Sequence, residues 1–239
     1  MLPAGRTIIR NRLLATLPAS ELDRLLPDLH PVSWSVQQTV YEVGAPIEQV
    51  YFIEEGLASI IVIMSDGSTS EVGMTGFEGM IGAAVLLGVN ASAQHVVVQI
   101  PGTALWMSTA HCKATFERLP VFHARTLRFV GALLNLRAQT AACNRLHAAR
   151  QRCARWLLMA SDRVQSDMLP MTHEFLAAIL GVRRTGVTAI ARDLQRAKLI
   201  QYRYGQIVIT DRRGLEAAAC ECYRVDYEEF RELLYVRGE

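Results

Sequence analysis

Between Pro31 and Met107 apolar residues fall into short runs rich in Val, Ile, Thr and Tyr, punctuated by Gly44, Gly56, Gly67, Gly73, Gly76, Gly79, Gly82, Gly88 and Gly102. Short strands joined by turns fit that spacing. Residues 50–53, 58–64, 69–74, 95–100 and 103–107 are predicted strands, with Ser65-Asp66-Gly67-Ser68 as a hairpin turn, and they imply a small antiparallel barrel or double sheet. Beyond them the period lengthens. Phe122, Phe129, Leu136 and Cys143 recur every seven residues, with Leu133, Thr140 and Leu146 between them, which predicts a helix over 122–144 able to form one strand of a coiled-coil dimer. Arg125 and Gln139 interrupt that seam, and a helix burying the same face against its own sheet gives much the same pattern. Residues 146–164 predict the next helix.

Residues 172–200, THEFLAAILGVRRTGVTAIARDLQRAKLI, hold two short helical patterns that meet at Gly181. Phe175, Leu176, Ile179 and Leu180 make the first apolar stripe, and Val187, Ile190, Ala191 and Leu194 the second, at i, i+3, i+4 and i+7. Thr172 is a suitable N-cap, Glu174 lies in the first turn, and Gly181 suits the stop. Turning both stripes inward leaves Arg184, Thr188 and Arg192 on an opposite face flanked by Thr185 and Ala189, the pattern of a helix-turn-helix, although an ordinary helical hairpin shares it. Residues 200–210, IQYRYGQIVIT, predict a β-hairpin broken at Tyr204-Gly205 with Arg203 at its tip, which would make the unit winged.

Charge favours a polyanion partner. The net charge of +2 hides a segment, 145–213, with 13 basic and 5 acidic side chains, while 1–144 and 214–239 are both net negative. Such a patch gains affinity for nucleic acid by counterion release, although solvated Arg-rich helices also exist.

The order of parts resembles the CRP/FNR family of bacterial transcription regulators. The resemblance rests on YEVGAPIEQVYFIEEGLASIIV (41–62), EVGMTGFEGMIG (71–82) and the helix-turn-helix. It implies an α+β chain: an N-terminal antiparallel β-roll of the cyclic nucleotide-binding kind with a leading helix (1–119), a long dimerisation helix (120–145) and a C-terminal winged helix-turn-helix (146–239). It also implies a homodimer meeting through Phe122, Phe129, Leu133, Leu136, Thr140 and Cys143, bound to a palindromic double-stranded DNA operator, and leaves room for RNA polymerase as a further partner. Along Leu180-Gly181-Val182-Arg183-Arg184-Thr185 the resemblance assigns base reading to Arg184, with Thr185 and Thr188 beside it and Arg183, Ala189 and Arg192 on the same face. His173, after Thr172, matches a phosphate-touching position.

In cyclic-nucleotide binders of this kind a Gly-Glu pair holds the ribose and a following Arg-Ser pair grips the phosphate. Gly76, Phe77, Glu78 and Gly79 match the first part, and Ser92 and Gln94 fall where the second belongs, but Asn90-Ala91-Ser92-Ala93-Gln94-His95 contains no Arg. Ser92 and backbone amides replace a bidentate guanidinium poorly, so cyclic AMP and cyclic GMP are not expected ligands. An iron–sulfur cluster of the oxygen-sensing kind is not expected either, because no Cys precedes Cys112. Haem is disfavoured because His95, His111, Cys112 and His123 share no diagnostic spacing. Cys220-Glu221-Cys222 is half of a zinc site at best, so no residue is assigned to a metal. Five cysteines without a signal peptide fit a reducing cytoplasm, and no run has the length and apolarity of a membrane span.

No nucleophile elbow, P-loop or His-Glu-x-x-His helix occurs, so an enzyme is not expected. Two classes remain. The first is a dimeric DNA-binding transcription regulator, favoured by Arg183, Arg184 and Arg192; the second is a small-molecule-binding module whose winged helix serves protein interaction.

Overall fold

The computed structural model describes residues 8–234; the expected domain bounds also take in residues 1–7 and 235–239, which lie outside the described residues. Two short helices lead, α1 (Arg12–Ala15) and α2 (Ala19–Leu25). Asn11 caps α1 by accepting from Leu14 N, and its amide donates to the carbonyls of Ile53 (2.8 Å) and Gly79 (2.7 Å). A fully buried Asn is tolerable only because these groups are paired.

Strands β1 (His30–Trp34), β2 (Thr39–Tyr41), β3 (Gln49–Ile63), β4 (Thr69–Thr75), β5 (Met80–Ile81) and β6 (His95–Ser108) form one antiparallel sheet ordered β1-β6-β3-β4, with β2 on β6 and β5 on β3. The expected strands 50–53 and 58–64 are one strand, as are 95–100 and 103–107. The β3–β6 register shifts on both sides of Gly56, where a Cβ would meet the Ile100 carbonyl at 2.5 Å, and a Cβ on Gly102 would meet the Glu55 carbonyl at 2.1 Å. These glycines mark bulges at which a continuous ribbon bends, and not the expected strand ends. Ser65–Ser68 does form the expected turn, with Asp66 accepting from Ser68 N at 2.9 Å and Gly67 at φ +82°.

Helix α3 (Thr109–Arg118) leads into α4 (Pro120–Leu146), 27 residues with Pro at its first position. Glu21 accepts from Val121 N (3.0 Å) and Phe122 N (2.8 Å), placing a carboxylate on the helix N-terminus. The seven-residue stripe of α4 faces its own chain. Phe122, Phe129, Leu136 and Cys143 are buried, and a Cβ on Gly79 would come within 2.0 Å of the Phe129 ring. Leu133 packs on the same core, and Thr140 accepts from Arg155 Nη2 at 2.9 Å. Phe122, Phe129, Leu136 and Cys143 therefore face their own chain rather than forming the expected partner-facing seam, while Leu133 and Thr140 are only partly covered. The outward face carries Ala124, Leu127, Gly131, Leu134, Ala138 and Ala141, all exposed and alternately three and four residues apart.

The rest comprises α5 (Ala149–Val164), β7 (Met168–Pro170), α6 (His173–Leu180), α7 (Arg184–Arg196), β8 (Ile200–Arg203), β9 (Gln206–Ile209), α8 (Arg212–Ala218) and α9 (Cys222–Leu234). Strand β7 joins the expected hairpin in the order β7-β9-β8. Helix α5 is buried on several faces because it lies between roll and winged helix: Trp156 Nε1 donates to Glu71 Oε1 (2.7 Å), while Leu157 and Leu158 share a core with Leu169, Leu176 and Val187. Helix α9 returns along α4, with Asn135 donating to Glu229 at 2.9 Å. Among the described residues no helix is long and apolar enough to cross a membrane.

Candidate nucleic-acid interface

Thr172 caps α6 by accepting from Phe175 N at 3.2 Å, which commits its hydroxyl to the fold. Gly181, at φ +62°, ends the helix in the left-handed region, and Arg152 Nη1 satisfies the Leu180 carbonyl at 2.9 Å. Leu176, Ile179 and Leu180 then meet Val187 and Leu194 in one core. That packing fixes the outward face of α7.

Arg183, Arg184, Thr185, Ala189 and Arg192 are exposed on that face. Arg184 pairs with Glu174 at 2.9 Å, but both side chains are about two-thirds exposed, so solvent screens the contact and Arg184 can exchange it for another partner at little cost. Thr188 and His173 play a different part. The Thr188 hydroxyl lies 3.1 Å from the Arg184 carbonyl and 3.2 Å from His173 Nδ1, and the His173 ring stacks on Tyr202 with centroids 4.2 Å apart. Burial, reinforced by Arg184 and Arg192, lowers the His173 pKa, so this joint between α7 and the hairpin is built from a neutral imidazole.

The hairpin tip is Tyr204-Gly205, both at positive φ, with Arg203 one residue back in β8 opposite Gln206. Arg203 therefore closes the turn next to the two tip residues. Tyr204, at φ +49°, is fully exposed at the turn, and Lys198, at φ +59°, adds an exposed cation before β8. Sequence reasoning missed both, although a Tyr before Gly at a two-residue turn was a usable signal. Part of the basic excess is also spent internally. Arg155 is buried against Asp226 and Arg163 against Glu78, so these two cations are not available to a polyanion.

The roll encloses a cavity of about 250 Å³ between its strands and α4, lined by Ile60, Met80, Val96, Ser92, Gln94, Leu133, Leu134 and Arg137 among others. Ser92 and Gln94 were expected there. The Ser92 hydroxyl, however, donates to the Gln94 carbonyl at 2.6 Å and is occupied. Gly76, Phe77, Glu78 and Gly79 lie elsewhere, which corrects their assignment to the pocket. Glu78 accepts from Arg163 Nε (2.8 Å) and Gly76 N (2.9 Å), Phe77 meets Phe230 edge-on, and Gly79 lies under Phe129, so a cation on α5 has drawn the carboxylate into the domain junction. Arg137, which sequence reasoning did not single out, lines the cavity from α4, and burial lowers its pKa.

Elsewhere the fold joins what the sequence keeps apart: Cys143 and His147 stand with Cys220 and Cys222, their ligand atoms all within 4.8 Å of one another. Among the haem candidates, Cys112 is buried and His123 stacks on Phe116.

Residues 151–218 match the family model described as a Crp-like helix-turn-helix domain. No curated protein matches the chain. Among solved structures, FixK2 of Bradyrhizobium japonicum is similar at a TM-score of 0.69 and 16% identity, over 80% of this chain and 98% of that one. The c-di-GMP responsive global regulator CLP of Xanthomonas campestris is similar at 0.65 and 19%, over 80% and 99%. A CRP-family transcriptional regulator of Thermus thermophilus is similar at 0.61 and 23%, over 79% and 96%. The chain thus carries a Crp-like helix-turn-helix domain on the fold of the CRP/FNR transcription regulators.

Proposed function

We propose that the protein is a sequence-specific DNA-binding transcription regulator acting as a homodimer. The observation that carries this reading is the exposed face of α7, where Arg183, Arg184, Thr185, Ala189 and Arg192 stand clear of the core beside a hairpin bearing Arg203 and Tyr204. A helix face of this kind fits a major groove, with the hairpin against the adjoining backbone. Affinity selection from a randomised duplex pool at one fixed salt concentration tests it. Enrichment of a two-fold symmetric site is expected, and no enrichment of any sequence would favour the protein-interaction reading instead.

Two-fold recognition needs two chains. The spacing of Leu127, Gly131, Leu134, Ala138 and Ala141 suits self-pairing: the leucines supply apolar area while Gly and Ala let two helices approach closely. Leu134 also lines the roll cavity, so a ligand there touches the helix that carries the seam. The cavity walls are mainly apolar with Arg137 as the cation, which suits a small molecule with an apolar body and one anionic group.

A further inference from the structure

Cys143 and His147 are one helical turn apart at the end of α4, and His147 is its C-cap, with its backbone N–H on the Cys143 carbonyl at 3.0 Å. The imidazole therefore folds back beside the Cys143 thiol. Cys220 lies in the link after α8, and Cys222 is the first residue of α9. A turn closed by Tyr223 N on the Cys220 carbonyl, 3.0 Å, sets both thiols toward α4. Cys143 Sγ and Cys220 Sγ are 3.5 Å apart, and Cys222 Sγ is 3.6 Å from His147 Nδ1. With bond lengths of about 2.3 Å to sulfur and about 2.0 Å to nitrogen, tetrahedral zinc separates its ligand atoms by roughly 3.5 to 3.8 Å. These two spacings have that size, and all four ligand atoms lie within 4.8 Å of one another, so closing on one ion needs at most a small side-chain adjustment.

We propose that Cys143, His147, Cys220 and Cys222 form a structural zinc site that clamps the end of the long helix to the α8–α9 junction. The three thiols are buried and form a small core of their own, closed to solvent as a structural site requires. The surrounding groups match the needs of such a centre. His147 turns Nδ1 to the cluster while Nε2 lies 3.1 Å from Glu221 Oε1, the carboxylate–imidazole arrangement that orients a metal-bound histidine. Gln139 Nε2 lies 2.9 Å from Cys222 Sγ as a donor, and the positive field of Arg155 reaches Cys143 and Cys220, which offsets the excess negative charge of three thiolates on a divalent ion. Three thiolates with one imidazole select a soft tetrahedral ion over magnesium or calcium. Four ligand atoms this close fit a single ion, whereas a cubane cluster spreads its cysteines over separate irons.

The site would act where α4 gives way to α5, fixing α9 along α4 while α5 carries the helix-turn-helix. This inference does not depend on DNA binding. It is tested on the full chain, purified under reducing conditions and dialysed against metal-free buffer. One zinc per chain is expected, and cobalt replacement should give intense tetrahedral d–d bands with thiolate-to-cobalt charge transfer. Cys222→Ser and His147→Ala should lose the metal, while Cys112→Ser and Cys153→Ser, buried thiols elsewhere, should keep it. If the ligand variants fail to fold, the parent decides: all five thiols are buried, and adding a chelator should open Cys143, Cys220 and Cys222 to alkylation while Cys112 and Cys153 stay protected. The proposal is overturned by a parent that neither retains zinc nor gives thiolate bands with cobalt, by metal retained in a folded Cys222→Ser, or by a Cys143–Cys220 disulfide in the reduced preparation.

Discussion

Arg163 Nε and Glu78 Oε1 form an ion pair 2.8 Å long with both side chains at most 2% exposed. It joins α5 to the turn before β5, and the guanidinium also lies over the Phe230 ring of α9, 4.9 Å from its centroid. One residue thus touches the roll, the linking helix and the C-terminal helix. Removing one partner of such a pair strands a charge in low dielectric, so Arg163→Met should cost about 3–5 kcal/mol. Glu78→Gln combined with Arg163→Met leaves no stranded charge and should recover at least half of that loss. Urea unfolding of the three proteins measures it, and a double variant no more stable than Arg163→Met would refute the pairing argument.

The sequence around Glu78 matches a ribose-binding turn, yet the carboxylate points into the domain junction. Its orientation depends on Arg163, 85 residues away, which no local pattern can pair with it. Long-range geometry also explains the metal cluster, since Cys143 and Cys220 meet only after α9 has folded back on α4. The helix-turn-helix was readable because Thr172, Gly181 and two apolar stripes encode it within 29 residues. The seam of α4 was not. Phe129 and Leu134 both lie on apolar stripes of helical spacing, and periodicity alone does not say which one meets the chain's own sheet. Side-chain volume does: the phenylalanines fill the deep roll, while Gly131 and Ala138 stay on the flat outer face.

The seam makes a clear distinction between variants. Leu127→Glu with Leu134→Glu should yield a folded monomer with weakened operator binding, since the two side chains are 43% and 61% exposed and Leu134 only borders the roll cavity without joining the buried core. Phe129→Glu should unfold the roll instead, by burying a charge in its core. Sedimentation combined with circular dichroism separates these outcomes, and a double variant that stays dimeric would move the interface elsewhere.

Glu71 should make stability depend on pH. Burial pushes its pKa up to about 7, against the hydrogen bonds from Ser59 and Trp156 and the positive charges of Arg155 and Arg163 on α5. The folded state therefore keeps a proton that the unfolded chain loses above its ordinary value of 4.5, so the stabilisation is largest below that pH and is lost as pH rises to about 7. Across that window the change amounts to about 3 kcal/mol. Glu71→Gln, which stays neutral, should flatten the difference between urea midpoints at about pH 5 and about pH 8, and an equal difference in both proteins would assign the effect to other groups.

Calorimetry should show cyclic AMP binding no tighter than about millimolar, near −4 kcal/mol. The 90–95 segment supplies no Arg, and the Ser92 hydroxyl is committed to Gln94. Micromolar binding abolished by Arg137→Ala would instead show that the guanidinium on α4 serves the phosphate.

Arg184 and Arg203 should differ in what they contribute to DNA binding. Arg184, in the first turn of α7 and held only by a screened pair with Glu174, can donate two hydrogen bonds to a guanine edge. Arg184→Ala should then cost about 1–3 kcal/mol per half-site and flatten the preference at one symmetric base position. Arg203 stands at the end of β8 beside the exposed Tyr204, on the hairpin rather than on α7, a position that suits a contact to backbone phosphate. Its replacement by Ala should weaken all sequences alike and lower the salt slope by about one per half-site. Selection with the parent and both variants at a single salt concentration, followed by salt titration on the selected duplex, distinguishes them. An Arg184→Ala protein that selects the same site with unchanged affinity would take this residue out of the readout, and an altered base preference in Arg203→Ala would bring the hairpin into it.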